Sequence, residues 1–251
     1  MLKVILSGIH GRMGNAIVNI AAERADLQIA AGVDLVDAPR ADGIPVFASF
    51  AELAVSGDVI IDFSNPSGLA AMLDYAVRTN TPVVLATTGY SPEQETMIAA
   101  AAQTVAVFRS ANMSIGVNVL SQLAETAARL LGNDFDVEIV EAHHNRKLDA
   151  PSGTAKSLAK AVERGLDFTP EYVYERESRR QQRDHKEIGM HAIRGGTIVG
   201  EHEIIFAGRD EIITISHSAR SRDIFAVGAL NAAAFLADKE SGMYSMADML
   251  K

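Results

Sequence analysis

Short apolar runs alternate with longer amphipathic segments in the amino-terminal part of the chain. The apolar runs fall at residues 4–6, 27–33, 59–61, 83–85 and 105–108, and helical patterns lie among them at 12–24, 66–78 and 92–103. Short, almost continuously apolar runs are typical of strands that are buried on both faces of a parallel sheet, with the helices as crossovers. The pattern therefore predicts an α/β fold with a doubly wound parallel sheet.

The pattern changes after residue 114. A helical segment at 117–131 precedes a strand-like run at 135–142, and three further strand-like runs follow at 188–193, 198–207 and 211–217. Strands that follow one another without helices favour antiparallel or mixed pairing. We therefore expect a second, α+β domain with a mixed or antiparallel sheet, before a helical pattern rich in small residues returns at 224–238.

Residues 175–186 are charged and almost free of apolar side chains. Mixed charges without an apolar stripe do not anchor to a core, so the segment is expected to form an exposed, mobile loop. A lid over an anionic ligand is the alternative.

The amino-acid composition excludes several classes of function. The 251 residues are 48% hydrophobic and carry a net charge of −9, which indicates a globular protein and argues against a nucleic-acid or anionic-membrane partner. No apolar run approaches the roughly 18 residues that a membrane span needs, and the amino terminus lacks a secretory pattern, so we expect a cytoplasmic protein. The absence of cysteine excludes disulfides, thiolate catalysis, iron–sulfur clusters and cysteine-ligated zinc.

Three glycines follow the first predicted strand at a Gly-x-x-Gly-x-x-Gly spacing: Gly8, Gly11 and Gly14. Glycines at a strand-to-helix turn let the backbone approach a pyrophosphate closely, and the helix start supplies N–H donors. Asp34 ends the second predicted strand, where a carboxylate can accept hydrogen bonds from the adenosine ribose. This arrangement predicts a Rossmann-type dinucleotide site, whereas no Gly-Lys-Ser/Thr follows for an ATP site.

Two further loops follow strands of the same predicted sheet. They contain Ala86, Thr87, Thr88 and Gly89, and Ser110, Ala111, Asn112 and Met113. Ligands of open α/β sheets bind at the carboxyl ends of the strands, so these loops suit a nicotinamide and its ribose. Each of them is equally compatible with an ordinary turn.

The densest chemistry lies between residues 141 and 154. His143 and His144 end a predicted strand, Lys147 follows, and Ser152 or Thr154 can cap the next helix. Side chains that are adjacent on a strand point to opposite faces, so the two histidines are not expected to act as a unit. A substrate carboxylate at the helix start, with Lys147 and Arg146 nearby, would leave one histidine to move a proton. We expect no metal, because the helical spacing of zinc-binding histidines is absent.

Segment 141–155 reads Glu-Ala-His-His-Asn-Arg-Lys-Leu-Asp-Ala-Pro-Ser-Gly-Thr-Ala, which resembles the signature of the dihydrodipicolinate reductases (4-hydroxy-tetrahydrodipicolinate reductases) of bacteria and plants. Segments 8–14, 86–89, 110–118 and 194–202 resemble other blocks of that family, in the same order. The resemblance covers essentially the whole chain. It implies an oxidoreductase of lysine and diaminopimelate biosynthesis, in which C4 of a dicarboxylate formed by loss of water receives a hydride from NAD(P)H.

The resemblance also implies an architecture and a set of roles. Residues 1–114 with 223–251 would form the dinucleotide-binding domain, and 115–222 the substrate-binding and oligomerisation domain of a homotetramer. The acid–base pair would be His143 and Lys147, and the substrate-binding residues His144, Ser152, Gly153 and Thr154. The dinucleotide would be contacted by Gly8, Ile9, His10, Gly11, Arg12, Met13, Asp34, Ala86, Thr87, Thr88, Ser110, Ala111, Asn112, Met113 and Arg222.

Two positions differ from the family pattern. Ala86 stands where glycine is frequent, and Leu35 follows Asp34 where members that accept NADPH often carry a basic residue. We therefore expect NADH to be the cofactor, with NADPH also possible. Two alternatives remain at this point: a Rossmann-fold dehydrogenase of another small amino or dicarboxylic acid, and a dinucleotide sensor without catalysis.

Overall fold

The computed structural model describes residues 1–35 and 38–251. These residues form two compact units: Met1–Ile115 with Asp223–Lys251, and Gly116–Arg222. The strands are β1 (Leu2–Ser7), β2 (Leu27–Val33), β3 (Val46–Phe47), β4 (Val59–Asp62), β5 (Val83–Leu85), β6 (Ala106–Arg109), β7 (Asp136–His143), β8 (Glu171–Val173), β9 (Glu187–Arg194), β10 (Gly200–Ala207), β11 (Ile212–Ala219) and β12 (Gly242–Tyr244). The helices are α1 (Arg12–Ala22), α2 (Leu69–Thr79), α3 (Pro92–Ala101), α4 (Ile115–Leu131), α5 (Gly153–Gly165), α6 (Asp223–Leu236) and α7 (Met246–Met249), with short 3₁₀ turns at Pro66–Gly68 and Gly132–Asp134.

The first unit is a Rossmann-type parallel sheet, which confirms the predicted fold class. Its strand order is β12-β6-β5-β4-β1-β2-β3, and every pairing is parallel. Ile17 of α1 and Leu230 of α6 pack in one apolar cluster, and Leu73 of α2 and Ile98 of α3 pack in another. Helices thus cover both faces of the sheet, which explains why β4 and β5 are apolar without alternation.

The second unit contains a mixed five-stranded sheet in the order β11-β10-β7-β9-β8. β7 lies at its centre, antiparallel to β10 and parallel to β9. Leu120 of α4 and Leu158 of α5 pack against inward residues of the sheet such as Ile139, and the two helices cover one of its faces. The mixed pairing confirms the α+β prediction for this part of the chain.

Four short elements, β3, β8, β12 and α7, have no counterpart among the predicted elements. The three strands have two or three residues each, and α7 has four. Such lengths are too short to show a period of 2 or 3.6 residues, so only pairing with a neighbouring strand defines these strands.

The charged segment 175–186 forms a loop, but the expectation that it has no anchor is wrong. Arg176 contacts the carboxylates of Glu138 (2.8 Å) and Glu187 (2.6 Å). Arg183 contacts Glu138 at 3.1 Å and donates to the carbonyl of Glu187 at 2.6 Å. Guanidinium groups therefore hold the loop to β7 and β9 in the absence of apolar side chains.

Among residues 1–35 and 38–251, no helix is both long enough and apolar enough to cross a membrane.

Candidate active site

The glycine turn after β1 has the close backbone packing that its spacing predicts. Gly8 adopts φ +81°, and a Cβ there would lie 2.6 Å from the carbonyl oxygen of Phe63. A Cβ on Gly14 would collide with the carbonyl of Gly8. α1 begins at Arg12 after Gly11, which has no side chain to cap the helix. Only glycine fits at positions 8 and 14, and the helix start remains suited to a phosphate.

A cleft of about 570 Å³ lies beside this turn. Gly8, His10 and Gly11 line it on one side, and Asp34 and Phe50 are among its other lining residues. The Asp34 carboxylate accepts a hydrogen bond from the backbone N–H of His10 at 2.9 Å. A strand-end carboxylate and a glycine turn thus meet in one cleft, which fits a dinucleotide.

Several of the other residues predicted to contact the dinucleotide do not line this cleft. Ile9 and Met113 have buried side chains in the core, so they could contact a cofactor only through their backbone. Ala86, Thr87 and Thr88 follow β5, and Ser110, Ala111 and Asn112 follow β6; neither loop lines the cleft. His10 Nε2 is buried without a hydrogen-bond partner in the protein.

His143 is held by a buried carboxylate on its own strand. Glu141 and His143 lie two residues apart at the end of β7 and therefore share a face of the sheet. His143 Nδ1 lies 2.6 Å from Glu141 Oε2, and the Glu141 side chain is fully buried. Arg194 of β9 donates to both oxygens of Glu141, at 2.8 and 2.7 Å.

Burial opposes ionisation of Glu141, but hydrogen bonds from Arg194, His143 and the Ser152 amide lower the pKa of its carboxyl below the usual value. The carboxylate is therefore ionised at neutral pH and acts only as a hydrogen-bond acceptor.

The start of α5 lies directly beside this pair. Ser152 caps the helix, and its hydroxyl accepts from the N–H of Ala155 at 3.1 Å. This decides between the two predicted caps in favour of Ser152 over Thr154. The Ser152 backbone N–H donates to Glu141 at 2.9 Å, and its hydroxyl lies 3.1 Å from His202 Nε2. No side chain lies within 4 Å of a Cβ built on Gly153, so the helix start faces open space.

Lys147 and His144 lie in the loop between β7 and α5. Lys147 Nζ forms an ion pair with Asp149 at 2.9 Å. Desolvation and the positive charges of Arg222 and Arg146 lower the pKa of His144 from its usual value. Arg222 is exposed and belongs to the second unit.

Sequence reasoning missed three residues of this site: Glu141, Arg194 and His202. The ring of His202 lies edge-on to that of His143, with centroids 5.2 Å apart, and burial together with the charge of His143 lowers the pKa of His202 to about 4. The spacing of two between Glu141 and His143 was a usable signal. Arg194 and His202 lie more than fifty residues away, and no local pattern connects them to His143.

Within the described parts of the chain, no group of three or more histidine, aspartate or glutamate side chains is placed to hold a metal ion.

Comparisons with known proteins agree across the whole chain. Residues 2–113 match the family model described as dihydrodipicolinate reductase, N-terminus, and residues 116–250 match the one described as dihydrodipicolinate reductase, C-terminus. The 4-hydroxy-tetrahydrodipicolinate reductase of Caldanaerobacter subterraneus subsp. tengcongensis is 46% identical over 251 residues, covering 100% of this chain and 99% of the relative. That of Clostridium tetani is 45% identical, covering 100% and 97%.

A solved structure, a dipicolinate-bound dihydrodipicolinate reductase from Paenisporosarcina sp. TG-14, is similar with a TM-score of 0.82 and 25% identity, and the match covers 98% of this chain and 97% of that one.

Proposed function

The chain belongs to the dihydrodipicolinate reductase family, and we infer that it reduces 4-hydroxy-tetrahydrodipicolinate to tetrahydrodipicolinate with NAD(P)H, in lysine and diaminopimelate biosynthesis. The observation that carries the assignment in this molecule is the pairing of His143 with a buried carboxylate beside an open helix start. One group can move a proton there while the other binds a carboxylate. An enzyme needs this pairing for proton transfer, whereas a dinucleotide sensor without catalysis does not.

Bound NAD(P)H supplies the hydride that reaches C4 of the substrate ring after loss of water. His143 is the proposed acid, because Glu141 occupies Nδ1 and leaves Nε2 to donate a proton to the carbon beside C4. Lys147 is the proposed partner, whose ammonium offsets the negative charge of the dicarboxylate. The product thereby gains one hydride and one proton.

The proposed substrate site consists of the residues at the start of α5 and the preceding loop. Backbone N–H groups of Gly153 and Thr154, in the first turn of α5, would bind a ring carboxylate, with Ser152 as the cap that orients them. His144 would contact the other side of the ligand. The similar solved reductase is dipicolinate-bound, which supports a dicarboxylate as the ligand of this chain.

The proposed dinucleotide site is the cleft beside the glycine turn. Residues 8–13 would hold the pyrophosphate, and Asp34 the adenosine ribose. The loops 86–88 and 110–113, together with Arg222, would contact the nicotinamide end. The orphaned polar atom His10 Nε2 is consistent with a polar ligand at the glycine turn. On this basis the first unit is the dinucleotide-binding domain, and the second the substrate-binding domain.

We further propose a homotetramer that forms through the second unit. Helices α4 and α5 cover one face of the five-stranded sheet. Ile193 and Ile212, 52% and 69% exposed, lie on strands β9 and β11 of this sheet. Exposed apolar side chains on a sheet favour pairing with another copy.

Because the reaction consumes NAD(P)H, we place the enzyme in the cytoplasm, where that cofactor is held.

A coupled assay tests the function directly. Dihydrodipicolinate synthase generates the substrate in situ, and the loss of nicotinamide absorbance is followed with NADH and with NADPH. We expect turnover that depends on both the synthase and this protein. Oxidation of the cofactor at an equal rate without the synthase, or no oxidation of either NADH or NADPH with it, would refute the assignment.

A further inference from the structure

Glu141 touches both halves of the proposed substrate site. Its Oε2 faces His143 Nδ1 at 2.6 Å, and its Oε1 accepts the Ser152 backbone N–H at 2.9 Å. The proton donor and the carboxylate-binding helix start are thus attached to the two oxygens of one side chain. Neither His143 nor Ser152 can shift relative to the other without breaking one of these bonds.

Arg194 fixes the carboxylate itself. Its two terminal nitrogens donate to the two oxygens of Glu141, and Nη2 also donates to the backbone carbonyl of Asp149 at 2.7 Å. A bidentate guanidinium sets the plane of a carboxylate, which a single ammonium does not. The bond to Asp149 attaches the loop that carries Lys147 to the same centre.

The direction of His143 follows from this arrangement. An ionised carboxylate only accepts hydrogen bonds, so Nδ1 must carry the proton of the shared bond. Nε2 then points away from Glu141, toward Gly200. A Cβ on Gly200 would lie 3.1 Å from Nε2, so a larger residue at this position would crowd that nitrogen.

We propose that Glu141, clamped by Arg194, is the positioning residue that sets His143 and the start of α5 at a fixed distance and orientation for the reaction. This inference rests on the proposed function, since it takes its roles for His143 and for the helix start from there. Glu141 itself does not contact the reacting atoms.

The test compares Glu141→Gln with Glu138→Gln. Glu138 lies on the same strand and also binds arginines, Arg176 and Arg183, but it contacts neither His143 nor Ser152. The measurements are kcat and KM for the dicarboxylate, kcat/KM against pH, and the Kd of dipicolinate and of NADH by calorimetry. Thermal melting establishes that each variant is folded.

For Glu141→Gln we expect kcat to fall about a hundredfold, the size of lost general acid help. The dipicolinate Kd should rise about tenfold while the NADH Kd stays within twofold, because the carboxamide lacks the charge and the second acceptor oxygen that hold Arg194, His143 and the Ser152 amide together, whereas the glycine turn is intact. The alkaline limb of the pH profile should move about one unit lower, because an imidazolium without its carboxylate releases the proton more easily. The other groups near His143 are unchanged in the variant: Arg194, His202, His144 and Lys147.

Glu138→Gln should leave all of these values within twofold of the wild type. A merely structural role for Glu141 would lower the melting temperature without moving the alkaline limb. If Glu141→Gln does not fold, Glu141→Asp takes its place in the test. Aspartate keeps the negative charge but has a side chain one methylene shorter. We therefore expect kcat to fall at least tenfold while the alkaline limb of the pH profile stays in place.

A folded variant, Glu141→Gln or the substitute Glu141→Asp, with kcat and dipicolinate Kd within threefold of the wild type would overturn the proposal. Failure of the proposed function is distinguishable, because wild-type protein would then show no synthase-dependent turnover before any variant is compared.

Discussion

At the scale of single residues, the proposed chemistry divides between an imidazole and an ammonium. Histidine is the side chain suited to donate a proton near neutral pH, whereas a lysine beside a dianion keeps its proton and stabilises charge. We expect His143→Gln to lower kcat about a hundredfold with little change in KM. Lys147→Ala should lower kcat and raise KM together, since one cation serves both binding and turnover.

Steady-state kinetics with synthase-generated substrate measures both effects. His185→Gln is a suitable control, because that histidine has a half-exposed side chain beside Asp184 in the charged loop. If His143→Gln kept the kcat of the wild type across neutral pH, His143 would not be the proton donor, and that role would fall to His144 or to water.

Asp34 determines cofactor preference at the same scale. Its carboxylate, fixed by the His10 amide, can accept the ribose hydroxyls of NADH and repels a 2′-phosphate. Arg40, a cation beside the turn, donates to the carbonyl of Ile9 at 3.3 Å but is paired with Asp42 at 2.6 Å. We therefore expect a moderate preference for NADH.

Replacement of Asp34 by Ser should then shift the ratio of kcat/KM for NADH and NADPH toward NADPH by about tenfold, roughly one charge interaction. A wild-type enzyme that used NADPH far better than NADH would contradict this prediction.

At the scale of elements, α5 offers a way to delete one hydrogen-bond donor without breaking a helix. Gly153 is the first residue of α5, a position that tolerates proline, and Ser152 before it has φ −61° and ψ 155°, which suits a residue that precedes proline. Gly153→Pro removes one N–H from the proposed carboxylate site. We expect KM for the dicarboxylate to rise about tenfold, as for one lost charged hydrogen bond, with an unchanged NADH KM.

Gly153→Ala keeps the N–H and meets no neighbouring atom within 4 Å, so it serves as the matched control and should behave like the wild type. Equal KM values for the proline and alanine variants would remove this amide from the substrate site.

His202 makes β10 sensitive to acid. Burial lowers its pKa to about 4 from the usual 6.5. Between these two values the unfolded chain binds more protons than the folded one, so the free energy of unfolding must decrease as the pH falls from 6.5 toward 4. The full contribution is on the order of 3 kcal/mol.

His202→Gln, which can still bond to the Ser152 hydroxyl, should flatten this part of the stability curve, as denaturant unfolding at a series of pH values would show. Removal of the exposed His185 should leave the slope unchanged. If the wild type and His202→Gln lost stability equally between pH 6.5 and 4, the acid sensitivity would have another source.

At the scale of the whole molecule, the proposed tetramer requires the exposed isoleucines of the five-stranded sheet to be covered. Light scattering at micromolar concentration should give four times the mass of the chain. Ile212→Glu should shift the mass toward smaller species, because it places a charge on the exposed side of β11. Leu130→Glu on α4, where the side chain is 78% exposed, should leave it unchanged. A monomer at micromolar concentration would refute the proposal.

The sequence alone determined the elements whose stabilisation is local or strongly patterned. β2 and β5 have the predicted bounds, and α1 and α3 lie within the predicted segments but end about two residues earlier. A buried parallel strand needs apolar residues on both faces, and a strand-to-helix turn needs glycine where a Cβ would collide. Each requirement involves residues that are consecutive in the sequence. The glycine turn, Asp34 and the stretch 141–154 could therefore be identified without the structure.

Only the tertiary structure decided which distant side chains complete the site. Arg194 is 53 residues from Glu141 in sequence, and the parallel pairing of β7 with β9 brings it there. His202 comes opposite Glu141 through the antiparallel pairing of β10. The arginines of the 175–186 loop likewise contact carboxylates on β7 and β9 that are distant in sequence. Ion pairs and hydrogen bonds between strands depend on register, and register is set by the packing of a whole sheet rather than by any one segment.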